Sequence, residues 1–162
     1  MSTDPVDPVV VLGALAEAAD AVEAALAATG DWGVTGGREG EHHSDVAADA
    51  AAVAVLVDAG LGVLSEESGR THPERPVTVV LDPLDGSTNA SRRMSWWATS
   101  LCAVDADGPM VALVVDLRHG VRYTAIRGQG ATRDGTPIRS SGCRTLADAI
   151  VGLNGVPAGH GG

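Results

Sequence analysis

Val77-Thr78-Val79-Val80-Leu81-Asp82-Pro83-Leu84-Asp85-Gly86-Ser87-Thr88-Asn89 is the most informative stretch of the chain. Its first five residues are apolar or β-branched and have the length of a buried strand. The run stops abruptly at Asp82. Pro83 fixes its own φ and disfavours helix at Asp82, so a sharp turn is expected here. In such a turn Asp82, the Leu84 carbonyl and Asp85 can converge, giving two hard anionic ligands and one neutral oxygen suited to Mg²⁺ or Mn²⁺. Gly86 permits positive φ and a close approach of ligand to backbone. Ser87 and Thr88 offer hydroxyls and N–H groups at the start of a following helix, where an anion is stabilised. Asp-Pro and Asp-Gly also occur in ordinary turns with solvated aspartates, and Ser87 also suits a helix cap. The whole string is far more specific than either dipeptide.

Upstream, Asp7-Pro8 followed by Val9, Leu12, Leu15, Ala19, Val22 and Leu26 reads as a capped amphipathic helix that Gly30 can end. Residues 31–41 are rich in Gly and charge and read as a loop. A second helix is expected from about Asp45 to Asp58, with Val46, Ala50, Val53 and Val57 on one side and Gly60 as its stop. Leu61 to Leu64 is a short apolar run before Ser65-Glu66-Glu67-Ser68-Gly69. Downstream, strands are expected at 98–104, 110–116 and 121–126, with Asp107-Gly108 and His119-Gly120 as hairpin signals. Gly128, Gly130 and Asp134-Gly135 mark further turns. Helices first and hairpin-linked strands after predict an α+β fold, two helices packed on a largely antiparallel sheet.

The 162 residues suit one domain. Phe is absent, Tyr occurs once and Trp three times, so Ala, Val and Leu must build the core. Eleven basic residues, all Arg, against 21 acidic ones give a net charge of −10. That balance argues against a nucleic-acid backbone binder and against anionic lipid. It points instead to a neutral ligand, or to divalent cations that reverse the sign locally for an anionic one. Cys102 and Cys143 have no CxxC spacing, no charged-then-apolar leader opens the chain, and no run approaches eighteen apolar residues. A soluble, cytoplasmic protein is expected. His42-His43 lacks zinc-ligand spacing and reads as solvated loop. Trp96-Trp97 should divide between core and periphery, and Cys102 reads as inert packing. Arg92-Arg93 suits a phosphate or a solvated helix end.

The segment Asp82 to Asn89 resembles the signature of the inositol monophosphatase family, within the superfamily that includes fructose-1,6-bisphosphatases. Three further elements agree with it in order: Asp45-Val46-Ala47-Ala48-Asp49, Leu64-Ser65-Glu66-Glu67-Ser68, and Tyr123-Thr124-Ala125 followed by Gly128-Gln129-Gly130-Ala131. The resemblance spans roughly Val9 to Gly152. It implies that Glu66, Asp82, the Leu84 carbonyl and Asp85 hold a catalytic Mg²⁺ (Mn²⁺ as a substitute), with Asp82 and Asp85 reaching a second ion. It also implies that Gly86, Ser87 and Thr88 contact the substrate phosphate, and that Ser87 pairs with Asp49 to orient and deprotonate the attacking water.

The implied activity is hydrolysis of a small phosphate monoester: an inositol phosphate, histidinol phosphate, a sugar bisphosphate or a 3′-phosphorylated nucleotide. Family members are often dimers, so a homodimer is implied too. Their pattern continues into a Trp-Asp segment and a second α/β half, completing a layered αβαβα fold. Residues 1–162 correspond to the N-terminal α+β part, and this chain stops before the second half. The alternative expectation is an inert metal- or phosphate-binding module that needs a partner segment.

Overall fold

The computed structural model describes residues 6–33 and 42–152. Helix α1 (Pro8–Ala28) begins where the sequence places it: the Asp7 carboxylate accepts the Val9 N–H at 2.8 Å, and Pro8 opens the first turn. It ends at Thr29, one residue before Gly30, with the Thr29 hydroxyl bonded to the Ala25 carbonyl. Its inward stripe is Val11, Ala14, Leu15, Ala18, Ala19, Val22 and Leu26. Val9 is exposed, contrary to expectation, because the stripe starts at Val11.

Helix α2 (His43–Asp58) starts two residues earlier than predicted, with His42 as N-cap. The Asp45 carboxylate accepts the His42 N–H at 3.0 Å, satisfying a donor that the helix itself cannot. His42 is therefore buried rather than solvated, while His43 is exposed beside Asp31 at 3.8 Å. Most of the 31–41 loop lies outside the described residues. The inward face of α2 is Ser44, Asp45, Ala48, Asp49, Ala52 and Leu56, and Val46 faces out. The Gly60 N–H bonds to the Val57 carbonyl and the Leu61 N–H to the Leu56 carbonyl, with Gly60 at φ 81°. This is a Schellman stop at the predicted glycine.

Among the described residues the strands are β1 (Gly62–Ser65), β2 (Gly69–Thr71), β3 (Thr78–Asp85), β4 (Ala98–Asp105), β5 (Gly108–Asp116), β6 (Val121–Ile126), β7 (Gly130–Arg133) and β8 (Thr136–Ile138). They form one sheet in the order β2-β1-β3-β4-β5-β6-β7-β8, antiparallel except for the parallel β1–β3 pair. The fold class is α+β as expected. Helix α1 lies on β5 and β4, and α2 on β3 and β1. Alternation sends Val63, Val79, Leu81, Leu101, Val111, Leu113 and Val115 to the helices. Leu64, Val80, Val114 and Tyr123 stay substantially exposed.

Strand β3 does not stop at Asp82 but runs on to Asp85. Between Asp82↔Ser100 and Asp85↔Ala98 it carries one residue more than β4, a bulge. Pro83 has no N–H to give to a ladder and is tolerated at such an irregularity.

Candidate metal and phosphate site

The parallel pair β1–β3 brings two strand ends to one edge. Ser65 sits opposite Leu81, and the Glu66 N–H donates to the Leu81 carbonyl at 3.0 Å. Glu66, just past the end of β1, and Asp82, within β3, thus lie side by side on the sheet face away from the helices. They line an open groove of about 370 Å³ with Leu64, Val80, Ser100 and Cys102. Burial of the Cys102 thiol pushes its pKa up, as suits inert packing.

Asp82 is half-buried and its pKa is pushed up to about 7. Desolvation is the largest cause, followed by the charges of Glu66 and Asp85 and by a hydrogen bond with the Glu66 side chain; the Leu84 N–H, 3.2 Å from Asp82 Oδ1, opposes them. The charges of Glu66 and Asp85 thus disfavour the ionised form of Asp82. The donors of the three carboxylates are hard oxygens, the chemistry a divalent cation such as Mg²⁺ takes. Among the described residues, no three His, Cys, Asp or Glu side chains close on a single point where an ion could sit. The donor set fits the metal in kind, and Glu66 and Asp85 remain exposed.

On the other side of the strand ends, α2 supplies Asp49. The buried Ser65 hydroxyl donates to Asp49 Oδ1 and accepts the Glu67 N–H at 3.1 Å. One hydroxyl thereby ties α2 to the turn that carries Glu66. The resemblance pairs Asp49 with Ser87, whereas the hydrogen bond drawn to Asp49 comes from Ser65. One turn earlier on α2, Asp45 is buried with Oδ1 lacking a hydrogen-bond partner among the described residues. The sequence named Asp45 only as the start of an acidic helix. Its signal was the four-residue spacing to Asp49, which puts both carboxylates on one helix face.

After β3 the chain turns at Gly86, φ 86°, into the short helix α3 (Ser87–Ser91). Gly86, not Ser87, is the N-cap. A Cβ at Gly86 would lie 2.8 Å from the Trp96 carbonyl oxygen, so both the φ and the close approach require glycine. Asn89 Nδ2 donates to that same carbonyl at 3.0 Å, holding segment 92–97 against the turn. Ser87 is part-buried and Thr88 exposed. Arg92 and Arg93 are exposed where α3 ends, Trp96 is 85% exposed, and Trp97 packs on the core. The expected division of the two indoles holds, although they lie in the loop before β4 rather than in a strand.

Residues 14–156 match the model of the inositol monophosphatase family. Over 110 residues the chain is 36% identical to "Nus factor SuhB" of Escherichia coli K12, covering 64% of this chain and 41% of that protein. Over 111 residues it is 38% identical to "Inositol-1-monophosphatase ImpA" of Mycolicibacterium smegmatis, covering 67% and 40%. The solved inositol monophosphatase of Anabaena (Nostoc) sp. PCC 7120 superposes with a TM-score of 0.67 at 28% identity, covering 82% of this chain and 50% of that one. The chain thus matches about two fifths of the length of these curated relatives. Among the described residues, no helix is long and apolar enough to cross a membrane.

Proposed function

The chain belongs to the inositol monophosphatase family, and from that premise we propose that it takes part in Mg²⁺-dependent hydrolysis of a small phosphate monoester such as inositol monophosphate. The observation that carries the reading is the half-buried Asp82, held near neutrality of pKa between Glu66 and Asp85 at the mouth of an open groove. Glu66, Asp82, the Leu84 carbonyl and Asp85 would hold the metal. Bound there, Mg²⁺ supplies charge neutralisation for the phosphate and acidifies a coordinated water.

The chain's own residues have distinct tasks. Gly86, with no side chain in the way, lets the turn present backbone N–H groups of Ser87 and Thr88 and their hydroxyls to an anionic oxygen. Asp49 and Ser87 are the proposed pair for orienting and deprotonating water. Ser65 fixes the Asp49 carboxylate, and the unpartnered Asp45 oxygen adds a second proton acceptor on the same helix face. The described elements are read as one N-terminal α+β unit of the family fold, in a cytoplasmic setting that suits an acidic chain with two free thiols.

A second reading, a metal- or phosphate-binding module without turnover that needs a partner segment, is favoured by the absence, among the described residues, of three ligating side chains that close on one point. Phosphate release from inositol 1-phosphate against Mg²⁺ concentration, with Asp85→Asn as control, separates the two. Mg²⁺-dependent turnover that disappears in the variant supports the enzyme. Absent turnover with Mg²⁺ still raising the melting temperature supports the module. Equal turnover in Asp85→Asn rejects the assignment of the site.

A further inference from the structure

Asn89 is the one polar side chain of the string Asp82 to Asn89 to which neither the metal nor the phosphate assignment gives a task. It bonds twice across the segment that leads to β4. Its carbonyl accepts the Met94 N–H at 2.9 Å, the Ala90 carbonyl accepts the Arg93 N–H at 2.9 Å, and Arg93 has φ 57°. That is a Schellman end to α3, with arginine in the place glycine usually takes. The side chain reaches further: Nδ2 donates to the Trp96 carbonyl at 3.0 Å.

Trp96 is itself strained. Its φ is 73°, a region that a bulky side chain rarely enters. Packing does not account for it, because the indole is 85% exposed. Such backbone persists where the bonds around it over-determine it. Here those are the Asn89 amide on the Trp96 carbonyl, the Leu117 N–H on the Trp97 carbonyl at 3.2 Å, and the Asp85↔Ala98 pairing at the base of the loop. The first of these is made to Trp96 itself. What the strain accomplishes shows at Gly86. A Cβ there would lie 2.8 Å from the Trp96 carbonyl oxygen and 3.4 Å from Trp97 Cα, so the Trp96–Trp97 backbone sits directly on the turn. A carbonyl swung out of that place would leave Gly86 free to sample the many conformations open to glycine.

We propose that Asn89 is a positioning residue, whose side-chain amide keeps Trp96 in the left-handed conformation and so seats the Trp96–Trp97 backbone on the Gly86 turn that presents Ser87 and Thr88 to phosphate. The last step rests on the phosphatase reading; the clamp does not. Amide hydrogen exchange of the full ¹⁵N-labelled chain without metal tests the clamp. The reporters are the Ala90 and Leu117 N–H groups, bonded to the Gly86 and Trp97 carbonyls. Asn89→Ala should speed their exchange about tenfold, the upper range for one net hydrogen bond. Asn89→Asp, which keeps the shape but loses the donor, should do the same. Glycine takes a positive φ without strain, so adding Trp96→Gly to Asn89→Ala should bring exchange back to within about threefold of the parent chain. In saturating Mg²⁺, inorganic phosphate should bind Asn89→Ala about tenfold more weakly than the parent, with Mg²⁺ affinity changed less than about twofold. Unchanged exchange in both Asn89 variants, no recovery in the double variant, or equal losses of Mg²⁺ and phosphate affinity each overturns the proposal. A parent chain that binds no phosphate in Mg²⁺ fails the phosphatase reading instead, and the exchange rates still decide the clamp.

Discussion

Helices α1 and α2 lie side by side on the same sheet face, both rich in alanine, yet they bury different things. The inward stripe of α1 is wholly apolar, from Val11 to Leu26. That of α2 carries Ser44, Asp45 and Asp49 among Ala48, Ala52 and Leu56. Burying a carboxylate is costly unless it is bonded. Asp49 is bonded, to Ser65, and Asp45 only in part. One helix buries apolar side chains alone; its neighbour gives up apolar burial to hold carboxylates against β1 and β3, near Glu66 and Asp82.

Substitutions can break or sharpen that contrast. The largest effect is expected in α1: Leu15→Ala removes a fully buried side chain and should lower unfolding free energy in urea by about 3 kcal/mol. Because α1 carries no site carboxylate, the Mg²⁺ response of the folded variant should be unchanged; a lost response would put α1 in the site. A smaller effect is expected at the α2 contact. Ser65→Ala leaves the Asp49 carboxylate without its donor and should cost about 2 kcal/mol. A neutral result there would mean that α2 is as indifferent to its polar stripe as α1 would be.

The smallest effect concerns pH. In the metal-free chain Asp82 titrates at about 7, and in the unfolded chain at about 4. Between those values the folded state holds a proton that the unfolded state has released, so stability falls as pH rises through that window. Solvent screening of the half-buried group limits the change to about 1 kcal/mol. Asp82→Asn should remove the decline in urea titrations at pH 5 and 8, and an identical decline in the variant would assign it elsewhere.

Much of this contrast could be read from the residues, and the parts that could not have physical reasons. The Asp7 cap, the Gly60 stop and the long strands are local devices, and the sequence states them in adjacent residues. The face of α2 is not local. With alanine at so many positions, the stripe through Val46, Ala50, Val53 and Val57 and the one through Asp45, Asp49, Ala52 and Leu56 differ by one residue, and hydrophobicity chooses the first. Tertiary pairing with Ser65 chooses the second. Strands β2, β7 and β8 span three or four residues each, too few for a period to appear, and the glycines that open β2 and β7 read as turns alone. At the proposed site, the string from Asp82 to Thr88 displays its carboxylates and hydroxyls in adjacent residues. Nothing in it revealed that β3 continues past Pro83 through a bulge, or that Gly86 rather than Ser87 caps α3.

The proposed cation site rests on Glu66, Asp82 and Asp85, the first two carboxylates hydrogen-bonded side by side and Asp85 near enough for its charge to act on Asp82. Calorimetric titration of the full chain with Mg²⁺ at pH 8, beside Asp82→Asn, tests it directly. Saturable binding in the parent chain, reduced at least tenfold in the variant, is the predicted result. Absence of binding, or equal affinity in the two proteins, would contradict it.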